Sequence, residues 1–302
     1  MLALIAPGQG SQTPGMLSSW IAEPQLKDIL CNFSDAIGLD LVHLGTTADA
    51  DEIKDTDNAQ PLIVATSLLA AHALALKNIS VTSGHSVGEL AAAVVSGAIC
   101  ERDALTFVRA RGIEMATAAA QSAAGMSAVL GGDRNEVLSS LENLGLVPAN
   151  DNGAGQIVAA GDLSALATLS QNPPAGARVR ALAVAGAFHT KFMSPAIPAL
   201  RSLASTLTTQ NAKLPFVSNQ DGELISDGAE ILARIVNQIA NPVRWDLCMA
   251  RLKSMGVTGV IELPPAGTLV GLLKRAVPEI ETFALKSAED LLSAREFAGR
   301  HV

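Results

Sequence analysis

Two stretches and the composition predict an α/β fold with a hydrolase-like parallel-sheet core and an inserted ferredoxin-like (βαββαβ) subdomain. The first stretch is a β-branched run over residues 79–83, then Gly84-His85-Ser86-Val87-Gly88, then a small-residue run from Glu89 to Val95: strand, sharp turn, helix, with a serine at the apex. The second lies between residues 126 and 184, where short apolar runs and amphipathic stretches succeed one another as β-α-β-β-α-β. With 302 residues, 49% hydrophobic, 25 glycines and 14 prolines, the chain is long enough for a substantial core and a second, smaller unit. The expected division is a large α/β catalytic part over residues 1–124 and 187–302 and a small part over 125–186.

Composition also excludes partners. The net charge of −8 argues against nucleic acid, and no apolar run reaches membrane-spanning length. Met1-Leu2-Ala3-Leu4-Ile5-Ala6-Pro7 has no basic flank and reads as a first buried strand, not a signal peptide. Cys31, Cys100 and Cys248 are far apart, without C-x-x-C spacing, and read as buried thiols of a cytoplasmic protein.

In chain order, a strand over residues 2–6 is followed by Gly8-Gln9-Gly10-Ser11-Gln12, where glycines let the backbone approach a ligand and offer N–H groups. The absence of G-K-[ST] weakens a phosphate-loop reading. Residues 49–58 read as an acidic connector, and Gln60-Pro61 as the opening of a buried helix over 62–76. The turn around Ser86 comes next. Its two glycines leave room that β-carbons would fill, and the serine lies at the positive end of a helix dipole, where an oxyanion is favoured; the bland alternative is a serine that caps the helix.

Residues 101–120 form a helix whose apolar or small face holds Ala104, Leu105, Phe107, Val108, Gly112 and Met115. Arg111 falls inside that face and Glu114 points elsewhere. A guanidinium is not buried without an anion, so Arg111 pairs with a remote acid or awaits an anionic ligand, and the helix alone does not choose. The inserted unit reads as strands over 126–130, 146–149, 156–160 and 178–184, with helices over 133–144 and 163–170. The remaining elements are a helix over 195–207, a strand over 214–219, a helix over 231–239 that stops before Asn241-Pro242, a last buried strand over 257–263 and a helix over 268–277.

A serine hydroxyl needs a base to act as a nucleophile near neutral pH. Among five histidines, His301 lies in the tail, His72 mid-helix, His43 in a loop, and His85 next to Ser86 with its side chain directed away. His189, in a loop of small residues, is left as the base. The order is not Ser…Asp/Glu…His of an α/β-hydrolase and no acid stands out as orienter, which suggests a dyad.

Taken together, Gly8-Gln9-Gly10-Ser11-Gln12, Gly84-His85-Ser86-Val87-Gly88-Glu89, Arg111-Gly112, Asn150-x-Asn152 with Gln156, Ala187-Phe188-His189, Asn241-Pro242-Val243-Arg244-Trp245 and Gly267-x-Leu269 resemble, in the same order and over essentially the whole chain, malonyl-CoA:acyl-carrier-protein transacylases of fatty-acid and polyketide synthesis. The resemblance implies ping-pong acyl transfer with Ser86 as nucleophile, His189 as general base then acid, and the main-chain carbonyl of Gln238 holding His189. It implies an oxyanion hole from the N–H groups of Gln9 and Val87, and bidentate binding of the malonyl carboxylate by Arg111. Asn152 and Gln156 match positions near the cleft, and Phe188 matches a loop that goes with malonyl over methylmalonyl. The implied partners are malonyl-CoA and an acyl carrier protein, with no cofactor or metal. A serine esterase would share Ser86 and His189 without needing Arg111, and a carrier-docking module would need none of them.

Overall fold

The computed structural model describes residues 1–301. Its strands are β1 (Leu2–Ala6), β2 (Val81–Gly84), β3 (Ala124–Gly131), β4 (Val147–Asp151), β5 (Gln156–Asp162), β6 (Ala177–Ala181), β7 (Phe216–Val217), β8 (Leu224–Ile225), β9 (Val243–Arg244), β10 (Gly259–Glu262) and β11 (Glu281–Ala284). They form two sheets. The first runs β11-β10-β1-β2-β7-β8, parallel throughout except for the β7–β8 pair. The second runs β6-β3-β5-β4-β9.

β1 is buried at every residue, as expected of the centre of a parallel sheet covered on both faces. β2 beside it carries polar hydroxyls, and these are satisfied across the sheet: Thr82 Oγ1 donates to Leu4 O (3.0 Å) and Ser83 Oγ to Val217 O (3.0 Å). Helices Thr56–Leu74, Gly88–Ser96 and Glu101–Ala119 pack over one face with a large apolar core; helices Trp245–Ser254 and Thr268–Ala276 close the other.

The expected βαββαβ unit is present as β3, helix Arg134–Asn143, β4, β5, helix Leu163–Gln171 and β6, with its four strands antiparallel in the order fourth, first, third, second. Its small core, with Val129, Leu141, Ile157 and Leu169, is separate from the two larger ones. A fifth strand was not expected: β9 pairs parallel to β4, so the Pro242-Val243-Arg244 segment stitches the insert to the rest of the chain.

Several boundaries differ from the sequence reading. The buried helix starts at Thr56, so residues 56–58 are helical and not connector, and Pro61 lies inside it. The carbonyl that Pro61 leaves without an N–H partner, Asp57 O, accepts from Arg109 Nη1 at 2.7 Å. Asn150 and Asp151 belong to β4 rather than a loop, next to an irregularity between Pro148 and Asn150. β6 ends at Ala181, a short 3₁₀ turn (Lys191–Ala196) precedes helix Ile197–Ala204, and helix Gly228–Gln238 begins earlier than expected because Asp227 caps Glu230 N. β10 is the last buried strand, as expected, though half-buried β11, which had no sequence expectation, follows it at the sheet edge. Helices Pro24–Ile37, Trp245–Ser254 and Leu291–Gly299 had no sequence expectation.

Three expectations about particular residues are overturned. Of the cysteines only Cys248 is buried; Cys100 is exposed and its sulfur accepts from Asp103 N at a helix N-terminus. His301 is not a loose tail: it is 6% exposed, stacks on Phe297 at 4.5 Å and packs so closely on Gly259 that a β-carbon there would lie 2.3 Å from its ring. His43 sits within helix Leu41–Thr46, not in a loop, and pairs with Glu52.

Candidate active site

The turn between β2 and helix Gly88–Ser96 is forced by its glycines. A β-carbon on Gly84 would sit 2.1 Å from Gly88 C, and one on Gly88 would sit 2.3 Å from Ala6 O. Ser86, between them, has φ 53°, a left-handed conformation that costs a non-glycine residue. The side chain of Asn219 holds this geometry. Its Oδ1 accepts from Ser86 N (2.8 Å) and its Nδ2 donates to Gly84 O (2.6 Å).

His189 is brought to Ser86 by a second strained residue, its own, with φ 61°. Its main-chain N donates to Ile239 O at 3.1 Å, and Nδ1–H donates to Gln238 O at 2.8 Å. A carbonyl can only accept, so the proton is on Nδ1 and Nε2 is left to accept from Ser86 Oγ–H at 2.7 Å. His189 is 3% exposed, and burial, reinforced by the Arg111 charge, holds its pKa down to about 3. The imidazole is therefore a neutral base at physiological pH.

Arg111 is 1% exposed. Gly112 permits this placement: a β-carbon there would lie 2.9 Å from Asp57 Cα, so the small residue lets helix Glu101–Ala119 close on helix Thr56–Leu74 and brings Arg111 against Gln60. Nη1 donates to Gln60 Oε1 (2.5 Å), and Nη2 to Gln238 Oε1 (3.0 Å) and, at 3.5 Å, towards Ser86 Oγ. Nε has no partner, and the hydrogen bonds of Arg111 go to Gln60, Gln238 and Ser86 and to no carboxylate, with Glu89 acting on it only through its charge at longer range. Of the two alternatives left open by the helix pattern, a direct pair with a remote acid is therefore not realised; the cation is held by neutral amide oxygens. Burial lowers its pKa to about 10, so it remains charged.

Glu89 is the buried acid of the region, also 1% exposed. Its Oε1 accepts from Asn219 N and its Oε2 from Gln238 Nε2, both at 2.6 Å. Burial raises its pKa, while these donors and the Arg111 and Arg234 cations act against the rise.

Gln9 follows β1 and Val87 follows Ser86. Among the described residues neither main-chain N–H has a hydrogen-bond acceptor, and that of Val87 precedes the positive end of helix Gly88–Ser96. The Gln9 side chain donates to Thr56 Oγ1 at 3.3 Å.

Ser86, His189, Arg111, Gln9 and Gln60 line a cleft of about 490 Å³ between the two sheets, with Met126, Val158 and Leu182 from the insert on its other side. Phe188, next to His189 in sequence, is buried and also lines the cleft. From the insert, Asn152 Oδ1 is 2.9 Å from His85 Nε2, and Gln156 Oε1 accepts from Arg275 Nη2 at 3.4 Å; neither touches Ser86 or His189. His85 bonds Asn152 and rests edge-on against Trp245. His72 pairs with Glu101 at the surface, remote from the cleft. Among the described residues no cluster of three or more His, Cys, Asp or Glu side chains is placed to hold a metal ion, and no helix is long and apolar enough to cross a membrane.

Sequence reasoning missed Asn219, Gln60 and the role of Glu89 in this network. Glu89 was visible directly after the glycine turn, and Asn219 at the end of the 214–219 strand, but nothing local says that either reaches Ser86 or Gln238.

A serine hydrogen-bonded to a neutral histidine, with a buried cation alongside, is suited to transferring an acyl group that carries a negative charge. Residues 4–295 match the model of the acyl transferase domain family. The malonyl CoA-acyl carrier protein transacylase of Mycobacterium tuberculosis is 51% identical over 296 residues, covering 96% of this chain and 98% of the relative. That of Bacillus subtilis is 31% identical, covering 96% and 95%. The crystal structure of MCAT from Mycobacterium tuberculosis superposes with TM-score 0.94 at 51% identity, covering 98% of this chain and 99% of the other. A type II PKS acyl-carrier protein in complex with its malonyl-transacylase provides a further match at TM-score 0.92 and 30% identity, covering 98% and 99%. The chain is an acyltransferase that belongs to the acyl transferase family and, within it, to the malonyl CoA-acyl carrier protein transacylases.

Proposed function

We propose that this chain moves a malonyl group from malonyl-CoA to the phosphopantetheine thiol of an acyl carrier protein, for fatty-acid or polyketide chain elongation in the cytoplasm, by a ping-pong mechanism through a malonyl-Ser86 ester. In the first half-reaction Ser86 Oγ attacks the thioester carbonyl and its proton passes to His189 Nε2. The C–S bond breaks and the departing CoA thiolate takes that proton. In the second, the carrier thiol gives its proton to His189 and attacks the ester, and Ser86 Oγ leaves with the proton returned. The negative oxygen of each tetrahedral intermediate is received by the N–H groups of Gln9 and Val87. Gln238 O keeps the imidazole in its productive tautomer in place of a carboxylate.

The single observation that carries this reading is the position of Arg111: buried, charged, without a carboxylate partner, and with Nη2 3.5 Å from Ser86 Oγ. A malonyl carboxylate would displace or supplement the amide oxygens with two charge-assisted hydrogen bonds. Phe188 fills the wall where an α-methyl would go. Asn152 and Gln156, which line the cleft from the insert, are taken as substrate-binding residues. We take residues 125–186 as the inserted subdomain and 1–124 with 187–302 as the catalytic part. The exposed cations Arg178 and Arg180 on β6 and Lys191 are the basic patch for an acidic carrier.

The test is intact-protein mass spectrometry after mixing with malonyl-CoA. The wild type is expected to gain one malonyl group and Ser86→Ala none. An adduct that persists in Ser86→Ala overturns the assignment, and rapid release of free malonate from the wild type would make the protein an esterase.

A further inference from the structure

We infer that Glu89 is a positioning residue for malonyl recognition, acting on Arg111 through the side-chain amide of Gln238. The inference rests on the reading of Arg111 as the malonyl-binding cation.

The polar logic runs through one amide. A carboxylate accepts and never donates, and both oxygens of Glu89 accept from N–H groups at 2.6 Å, one from Asn219 N and one from Gln238 Nε2. Glu89 therefore requires the nitrogen end of the Gln238 amide on its own side. The oxygen end is then turned to Arg111 Nη2, at 3.0 Å. Ser86 O and Asn219 Oδ1, at 3.1 and 3.3 Å from the same nitrogen, favour the same orientation, but Glu89 is the nearest acceptor, at 2.6 Å. With the amide reversed, an NH₂ group would face a buried guanidinium, donor against cation. The second oxygen of Glu89 holds the main chain of the residue that clamps the Ser86 turn, so one buried carboxylate sets both the nucleophile's backbone and the cation's acceptor.

Glutamine at position 89 keeps the shape but breaks the logic. One of its two ends is an NH₂ group, and it must face either the Asn219 N–H or the Gln238 NH₂; a donor meets a donor in a site without water access. The Gln238 amide loses its fixed direction, and Arg111 loses the acceptor that holds Nη2 beside Ser86. Malonyl, which uses Arg111, then suffers more than acetyl, which does not.

The experiment measures kcat/KM for loading from malonyl-CoA and acetyl-CoA in the wild type, Glu89→Gln, Gln238→Leu, the double variant and Arg111→Ala, with folding checked by circular dichroism. Glu89→Gln is expected to lower the malonyl-to-acetyl ratio by roughly ten-fold, the scale of one hydrogen bond to a charged group. Gln238→Leu should lower it similarly, and in that background Glu89→Gln should add nothing to the ratio. A Glu89→Gln ratio equal to wild type, whether or not both rates fall together, overturns the inference, as does an undiminished further drop in the Gln238→Leu background. If Glu89→Gln does not fold, Gln238→Leu alone decides: an unchanged ratio overturns the inference. Arg111→Ala separates the two levels. Should its ratio stay at wild type, the malonyl-binding reading itself fails; should it collapse while the Glu89→Gln ratio does not, only the role of Glu89 fails.

Discussion

Around Ser86, on the six-stranded sheet, polar groups are committed several times over. Asn219 bonds the backbone on both sides of the serine, Gln238 bonds Ser86 O, Glu89 and Arg111 and its carbonyl takes His189, and two residues with left-handed backbones are locked between them. Across the cleft, on the five-stranded sheet, Asn152 makes one side-chain bond to His85, and Gln156 reaches only Arg275 at 3.4 Å. The insert's side of the cleft also offers Asn150 and the apolar Met126, Val158 and Leu182. The wall with the nucleophile is preorganised at atomic detail, whereas the other offers surface. Chemistry that must align a 2.7 Å hydrogen bond needs the first kind of wall, and a flexible acyl-thioester arm needs only the second.

The contrast can be broken most sharply at His189. His189→Ala removes the base and leaves Ser86 in place, and the single-turnover rate of malonyl loading should fall by roughly a thousand-fold or more. A drop of only a few-fold would show that another group accepts the proton.

Arg111→Ala follows in size. Removing one partner of a buried ion pair costs about 3–5 kcal/mol, so malonyl loading should fall by two to three orders of magnitude while acetyl loading persists or improves. Arg111→Lys should recover malonyl only in part, because an ammonium lacks the planar fork. The ratio of the two kcat/KM values is the readout.

A pH profile sharpens the comparison without mutation. The His189 pKa is held down to about 3, far below the ordinary histidine value of about 6.5. The base therefore stays unprotonated as pH falls, and kcat/KM for malonyl loading should show no histidine limb between pH 8 and 5. The same shift has a sign for stability. Between the two pKa values the unfolded chain binds the proton and the folded one does not, so this group makes stability fall as pH drops from about 6.5 towards 3. A half-maximal loss of rate near pH 6.5 would place His189 in a wetter site than the one described.

On the insert side the effects should be small. Asn152→Ala removes one hydrogen bond from His85, worth about 1 kcal/mol, so a several-fold rise in KM for malonyl-CoA with kcat little changed is expected. A thousand-fold loss in kcat would move Asn152 to the preorganised wall.

How much of this was legible in the sequence follows the same division. The glycines at 84 and 88 announce the turn because the backbone clash they avoid is local, and the βαββαβ order was readable because each element carries its own period. The partnership of Ser86 with His189, 103 positions away, was reachable only by eliminating other histidines, together with the resemblance. Asn219 and Gln60 were not reachable at all: their side chains act 133 and 51 positions from the residues they hold, and no periodicity encodes that distance. The start of the Thr56–Leu74 helix was hidden by Pro61, which reads as a helix opener; Arg109 compensates the lost bond from another helix. His301 was misread because terminal residues fray by default, and only the facing Gly259 makes room for its ring.

The central claim is that Ser86 carries the malonyl group between two thiols. The most direct measurement is a chase: the malonyl-enzyme is formed with radiolabelled malonyl-CoA, freed of nucleotide, and mixed with a phosphopantetheinylated acyl carrier protein. The account predicts that label leaves the Ser86 peptide and appears on the carrier in equal amount, with no free CoA required. Label that stays on the enzyme until CoA is added back, or that appears as free malonate, would contradict it.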